Sequence, residues 1–216
     1  MFYLVSASPC SRFEERFFSQ KTAIRISTLG TSTGGIIAAL LALGRSVKEI
    51  NDLYEKHVPI VMQKKGRHEK SLAFAKRGDE VFKEDKFDKM KIGVGIVATR
   101  WVIERPMIFK TSIEHAHGRM GTFSPGFGVK GSDAVQASCS AFPFFERKMV
   151  KTDKGDLVEP IDGGYYANNP TLYAIADALV ALKLHQSTFG SSASGWGYIR
   201  RRNSRGSAPP SGRRSS

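Results

Sequence analysis

Cysteine is scarce: Cys10 and Cys139 are the two in 216 residues. That argues against a disulfide framework and fits a reducing compartment, so a cytoplasmic location is the default expectation. Long apolar runs are missing as well. The longest, Ile36 to Leu43, is too short to cross a bilayer, and Met1–Val5 lacks the basic start and extended apolar middle of a signal peptide. Acidic residues are absent from 190–216, where six arginines account for much of the formal charge of +13 and leave +7 for the rest. That remainder is spread over helix-like stretches such as Lys64-Lys65 and Lys83–Lys91, interrupted by acids. No groove motif and no basic patch interleaved with aromatics is present, so nucleic acid is not expected as a partner. A solvated surface explains the charge, with room for transient contact to anionic lipid headgroups.

What is present suits one globular domain. Apolar residues make up 41% of the chain, an ordinary share, and its length allows a substantial core. Residues 1–22 read as an irregular segment, 23–185 as the domain, and 186–216, rich in Ser, Gly and Arg, as a disordered tail. The helix through Leu43 stops at Gly44, and Ser46-Val47-Lys48-Glu49 has the form of a capping box. Val47, Ile50, Leu53, Tyr54 and Val58 follow at helical spacing, and Pro59 is expected to end that helix. Residues 63–91 read as a charged surface excursion with short helical pieces. Lys91–Thr99 and Trp101–Phe109 read as strands, 111–131 as loop, Ser132–Ser138 as a short helix, Lys148–Val158 as a hairpin and Pro170–Leu184 as a last helix. Strands alternating with helices predict an α/β fold, a mostly parallel sheet flanked by helices.

Between the strand-like Ala23–Leu29 and the apolar Ile36–Leu43 lies Gly30-Thr31-Ser32-Thr33-Gly34-Gly35. A G-x-S-x-G sequence carries chemistry when a strand turns sharply into a helix. The turn strains the serine backbone and needs small residues two before and two after. It leaves the hydroxyl at a helix N-terminus, where free N–H groups and the helix dipole favour negative charge. Taken alone, the segment reads equally well as a nucleophile elbow or as an ordinary glycine-rich turn.

A serine hydroxyl needs a base to take its proton. Glu159–Pro170 offers Asp162 after a short apolar stretch, with Gly163 and Gly164 letting backbone pass close by and Pro170 opening a helix. An isolated Asp-Gly-Gly is more often a plain turn. Together with Ala137-Ser138-Cys139-Ser140-Ala141-Phe142-Pro143-Phe144-Phe145 and the serine turn, it fits a site.

On Gly30–Gly35, Ala137–Phe145 and Asp162–Pro170, in that order, the chain resembles the patatin-like phospholipase family, especially its bacterial members; the resemblance covers about residues 24–184. It implies a lipid acyl hydrolase of phospholipase A type, with Ser32 as nucleophile on a glycerolipid ester and Asp162 as its base. Such a serine–aspartate dyad works through an acyl-enzyme and needs neither metal nor cofactor. Gly30, Thr31, Thr33 and Gly34 would form the elbow, the Thr33 backbone N–H one oxyanion donor, and Asp162, Gly163 and Gly164 the second motif. Phospholipid or another glycerolipid is the implied substrate, met by a cytoplasmic protein in passing contact with a membrane surface.

The family also places a glycine-rich oxyanion loop near the N-terminus, and residues 1–29 contain no glycine. After its last matching helix the family continues with a further strand, where this chain turns to His185–Gly190 and the Ser/Arg tail. Truncation, frameshift or a gene-model error at both ends is the expectation. The alternative function is therefore a catalytically impaired remnant acting as a lipid-binding or regulatory module. A Ser32–Asp177–His185 triad is a third arrangement. His57 and His68 read as solvated, and His115 and His117 as loop or surface residues without a third metal ligand.

Overall fold

The computed structural model describes residues 3–5, 27–113, 121, 123–177, 179 and 190–192. In chain order the elements are β1 (Tyr3–Val5), β2 (Ser27–Thr31), α1 (Thr33–Ala42), α2 (Val47–Met62), α3 (Arg67–Phe82), β3 (Gly93–Arg100), β4 (Arg105–Lys110), α4 (Gly131–Ser138), β5 (Val150–Lys151), β6 (Leu157–Val158), β7 (Pro160–Asp162), α5 (Gly164–Ala167), α6 (Thr171–Ala176) and β8 (Gly190–Ser192). A single 3₁₀ turn stands at Phe87–Lys89, and Pro125–Gly128 is a turn in which Gly126 and Phe127 take positive φ.

The sheet is organised around β3, which is buried from Val94 through Thr99, as a strand covered on both faces must be. β4 pairs antiparallel along Gly95–Arg100 and fills one edge of it. The other edge is shared end to end. β2 pairs parallel with Gly93–Val97, and β7 pairs antiparallel with Ala98–Arg100. β2 and β7 therefore run toward one another and meet where Thr31, opposite Val97, gives way to Asp162, opposite Ala98. This junction positions the site.

The α/β class with flanking helices holds, but the sheet is mixed rather than mostly parallel. Among the described residues one of its pairings is parallel and two are antiparallel. The cause is local: β3 turns straight back through Trp101–Glu104 into β4, and a short turn can only join antiparallel neighbours. The expected strand over Trp101–Phe109 thus starts at Arg105, its first residues forming the turn.

α1 packs against β2 and β3, with Ala38 to Ala42 all buried. It ends in a Schellman arrangement: Gly44, at φ +83°, donates to the Leu41 carbonyl, and Arg45 to that of Leu40. Ser46 and Glu49 make the reciprocal capping box of α2. That helix does not stop at Pro59 but runs to Met62 with the proline inside it. Proline removes one N–H donor, and neighbouring bonds such as Gln63 N–H to the Pro59 carbonyl persist. Residues 63–91 are not short pieces either. They hold the full helix α3, whose Gly78 faces Ser132 of α4. Its apolar face is thin, with Gly78 and Phe82 the buried positions and Leu72 exposed, so hydrophobic periodicity carries little of its signal.

The main core lies among α1, α4, β3 and β4 and includes Leu40, Phe82, Phe87, Ile96, Phe109 and Val135. The Phe87 and Phe109 rings stack at 6.3 Å. The hairpin expected over Lys148–Val158 is β5 and β6, turning through Gly155 at φ +87°. β1 and β8 pair parallel, so strand structure occurs within both stretches expected to be irregular. The end of the expected last helix beyond residue 179 lies outside the described residues.

Candidate active site

Ser32 stands between the end of β2 and the start of α1 with φ +53° and ψ −124°. A non-glycine residue held in such a region costs on the order of 1–3 kcal/mol and persists only where its surroundings enforce it. Three contacts enforce it here. A Cβ added to Gly30 would lie 2.1 Å from the Gly34 carbonyl oxygen, so the chain folds back on itself at van der Waals contact. The Ser32 N–H donates to Ser138 Oγ at 2.8 Å, and that fully buried hydroxyl donates onward to the Val97 carbonyl at 2.5 Å. From α2, the half-buried Tyr54 hydroxyl donates to the Thr33 carbonyl at 2.9 Å, and burial pushes its pKa up. Smallness two residues before the serine is thus a contact requirement. Two residues after, it is not: a Cβ on Gly34 would meet nothing within 4 Å among the described residues.

Every residue of β2 is buried although Ser27, Thr28 and Thr31 are polar. Thr28 Oγ1 donates to the Ala38 carbonyl at 3.4 Å and Thr31 Oγ1 to that of Ala167 at 2.8 Å. The second bond ties the elbow strand to the segment after Asp162. Arg25, the other polar residue expected in this strand, lies outside the described residues.

Asp162 is the last residue of β7 and is 7% exposed. Its main chain is held from three sides. Its N–H donates to the Ser140 carbonyl, the Gly163 N–H to the Ser138 carbonyl, and Thr99 Oγ1 to the Asp162 carbonyl. Its side chain is held on one side only. Oδ1 accepts the Gly164 N–H at 2.6 Å, while buried Oδ2 has no hydrogen-bond partner among the described residues. A Cβ on Gly163 would stand 2.1 Å from the Val97 carbonyl oxygen and 2.9 Å from Thr31 Cγ2. Glycine there is what lets the aspartate turn close against the end of the elbow strand.

Cys139 joins the two. Burial, then the negative charge of Asp162, push its thiol pKa up, while the polar Ser32 side chain pulls the other way. It is a protonated, nearly buried group between the two segments. Sequence reasoning missed both Ser138 and Cys139 as site residues, although they sit within Ala137–Phe145. The signal available was position: they close a short helix just before a Pro turn.

The other arrangements fare differently. Asp177 Oδ1 lies 2.6 Å from Lys110 Nζ in a buried ion pair. Lys110 stands opposite Gly95, about 10 Å along β3 from the position facing Asp162 at ~3.3 Å per residue. The structure does not bring Asp177 to Ser32, and His185, His115 and His117 lie outside the described residues. His57 is on α2, its pKa lowered first by burial and then by nearby cations. His68 faces Glu146 at 2.9 Å.

A mixed sheet flanked by helices, with a strained serine between strand and helix and a buried aspartate across the junction, is a hydrolase-type α/β architecture. The patatin-like phospholipase family model matches residues 28–175, and the chain belongs to that family. It is 62% identical over 154 residues to a cUMP-AMP-activated phospholipase of Escherichia coli, an alignment covering 71% of this chain and 48% of that protein. The chain thus spans about half the length of the curated relative it matches. Among solved structures it is similar to VipD from Legionella pneumophila, with a TM-score of 0.45 and 11% identity over 70% of this chain and 42% of that one.

Proposed function

We propose that this chain is a lipid acyl hydrolase that cleaves glycerolipid esters through Ser32 and Asp162. The observation that carries the proposal is the buried Oδ2 of Asp162, which has no partner among the described residues and is held at the strand junction beside the strained Ser32. A carboxylate oxygen removed from water without a donor is costly. It is an acceptor kept open for a proton. In this reading Oδ2 takes the Ser32 hydroxyl proton as Oγ attacks the ester carbonyl carbon. The tetrahedral intermediate collapses, the alcohol departs with the proton returned by Asp162, and an acyl group remains on Ser32. Water, deprotonated in turn by Asp162, releases the fatty acid. No intrahelical carbonyl can take up the Thr33 N–H in the first turn of α1, which leaves it to stabilise the oxyanion together with the helix dipole. A single such donor is worth about 10²–10³ in turnover.

Family membership and the identity to the E. coli phospholipase support the lipid substrate. The name of that relative also brings cUMP-AMP to this chain as a proposed activator. Hydrolysis of phospholipid vesicles and labelling by a fluorophosphonate, with and without cUMP-AMP, test both points. Activity and labelling are expected in the unmodified chain and absent from Ser32→Ala, with hydrolysis also lost from Asp162→Asn. Hydrolysis that persists in Ser32→Ala would sink the assignment, and indifference to cUMP-AMP would remove the activator.

A further inference from the structure

We infer that the sheet end carrying the site is a docking surface for an anionic phospholipid bilayer, with the β3–β4 turn as its inserting tip. This rests on the lipid-hydrolase reading and adds how the chain meets its substrate. Beyond Arg100 the chain exposes Trp101 at 38%, Val102 at 81% and Ile103 at 48%, in a turn where apolar side chains gain nothing from water. Phe142 and Phe144 are exposed in the turn after α4, as is Tyr165 just after the Asp162 turn. Trp101, Phe142 and Tyr165 line one open cavity of about 570 Å³ together with Ser140 and Ile161, so these segments form one surface.

Its position is fixed by the strand register. Asp162 faces Ala98, β3 ends at Arg100, and the turn lies roughly 10 Å beyond Asp162 at about 3.3 Å per residue. Ser140, whose carbonyl holds the Asp162 N–H, is two residues before Phe142. The apolar tips therefore stand above the site and not on a remote face. An exposed patch of this kind, rimmed by polar groups, marks an interaction surface, and tryptophan and tyrosine favour a headgroup boundary.

Charge selects the occupant. Arg67 and Arg147 line the same cavity, Arg147 lying over the Trp101 ring at 4.4 Å, and Lys70 lies 5.7 Å from the Phe144 ring. Exposed Arg100 and Arg105 close the base of the turn as a cross-strand pair. Against them stand Glu104, Glu146 and Glu159, of which Glu159 is bonded to Arg147 at 3.0 Å and Glu146 to His68. Cations beside apolar tips match an anionic lipid surface and do not suit a neutral apolar partner.

The test uses the full chain carrying Ser32→Ala, so that binding is read without turnover, and vesicles of phosphatidylethanolamine with phosphatidylglycerol or of phosphatidylcholine alone. Partition is expected on the anionic vesicles and much less on the neutral ones. Val102→Asp/Ile103→Asp is expected to weaken it at least about tenfold, with circular dichroism reporting the fold. In Trp196→Phe, which leaves Trp101 as the single tryptophan, emission should shift to the blue on binding. No partition, equal partition of the double variant, or unshifted Trp101 emission in the bound protein each overturns the inference. The catalytic proposal is read separately, by labelling and cleavage of a water-soluble ester in the chain with Ser32 intact. Soluble-ester cleavage without vesicle binding would fail the docking surface alone.

Discussion

The two glycine-rich turns that meet at the end of β2 hold Ser32 and Asp162 by opposite means. At Gly30–Gly35 the cost is in the backbone: Ser32 sits at φ +53° and its main chain is clamped by Gly30, Ser138 and the start of α1. At Asp162–Gly164 the backbone is ordinary and bonded, and the cost is in the side chain, whose buried Oδ2 has no partner among the described residues. In the proposed dyad a nucleophile has to be aimed and a base has to be receptive, and a forced backbone at Ser32 and an unsatisfied oxygen at Asp162, anchored through the other, would serve those two needs.

The comparison breaks first where glycine is a contact requirement in both turns. Gly30→Ala and Gly163→Ala each place a methyl carbon 2.1 Å from a backbone oxygen, of Gly34 and Val97 respectively. Main chain has to move, and a loss of about 3 kcal/mol or more is expected, lowering the melting temperature by roughly 6–12 °C in a domain of this size. Thermal melts of both variants check it. A melting point unchanged in either would mean that turn is not closed by the contact described.

Next in size is the group the turns share. Ser138 accepts from the Ser32 N–H, donates to Val97 and, through its carbonyl, receives the Gly163 N–H. Ser138→Ala removes the side-chain bonds and leaves a buried donor and acceptor unpaired, for about 1–3 kcal/mol. Fluorophosphonate labelling of Ser32 should slow along with it, and Ser138→Thr, which keeps the hydroxyl, should recover part of both. Loss of stability with full labelling would show that Ser138 supports the fold without aiming the serine.

How much of this was legible depends on whether the signal is local. The elbow, the capping box at Ser46–Glu49, the Gly44 stop and the placing of Asp162 at a strand end all follow from a few adjacent residues, because φ, capping bonds and turn chemistry are settled within one turn of chain. What could not be read is what neighbours decide. Pro59 is tolerated because the bonds around it hold. α3 packs Gly78 and Phe82 inward, with Gly78 against Ser132 of α4, although its own apolar stripe is thin. The mixed sheet follows from one turn at Trp101–Glu104 being tight enough to reverse the strand. Ser138 and Cys139 matter only because β3, the elbow and the aspartate turn converge on them, which no spacing along the chain reveals.

A substitution of the serine itself sharpens the assignment of strain to its turn. Ser32→Gly keeps the fold and frees the backbone, since glycine populates positive φ without penalty. It should raise stability by about 1 kcal/mol relative to Ser32→Ala, which removes the same hydroxyl and keeps the strain. Equal melting temperatures for the two would place the cost elsewhere, most simply in the buried side-chain cluster with Cys139.

The smallest effect is expected at Gly34, and it separates sequence pattern from physical need. The G-x-S-x-G pattern makes this glycine look equivalent to Gly30, yet a Cβ there meets nothing within 4 Å among the described residues and its φ is not in the left-handed region. It also lies in the first turn of α1, where alanine reduces the entropy lost on folding. Gly34→Ala should therefore be neutral or stabilising by roughly 0.5 kcal/mol, with Ser32 still labelled by a fluorophosphonate. If labelling is lost while the melting temperature holds, the open space beside Gly34 is where the ester must lie, and the second glycine answers to the substrate instead of to the fold.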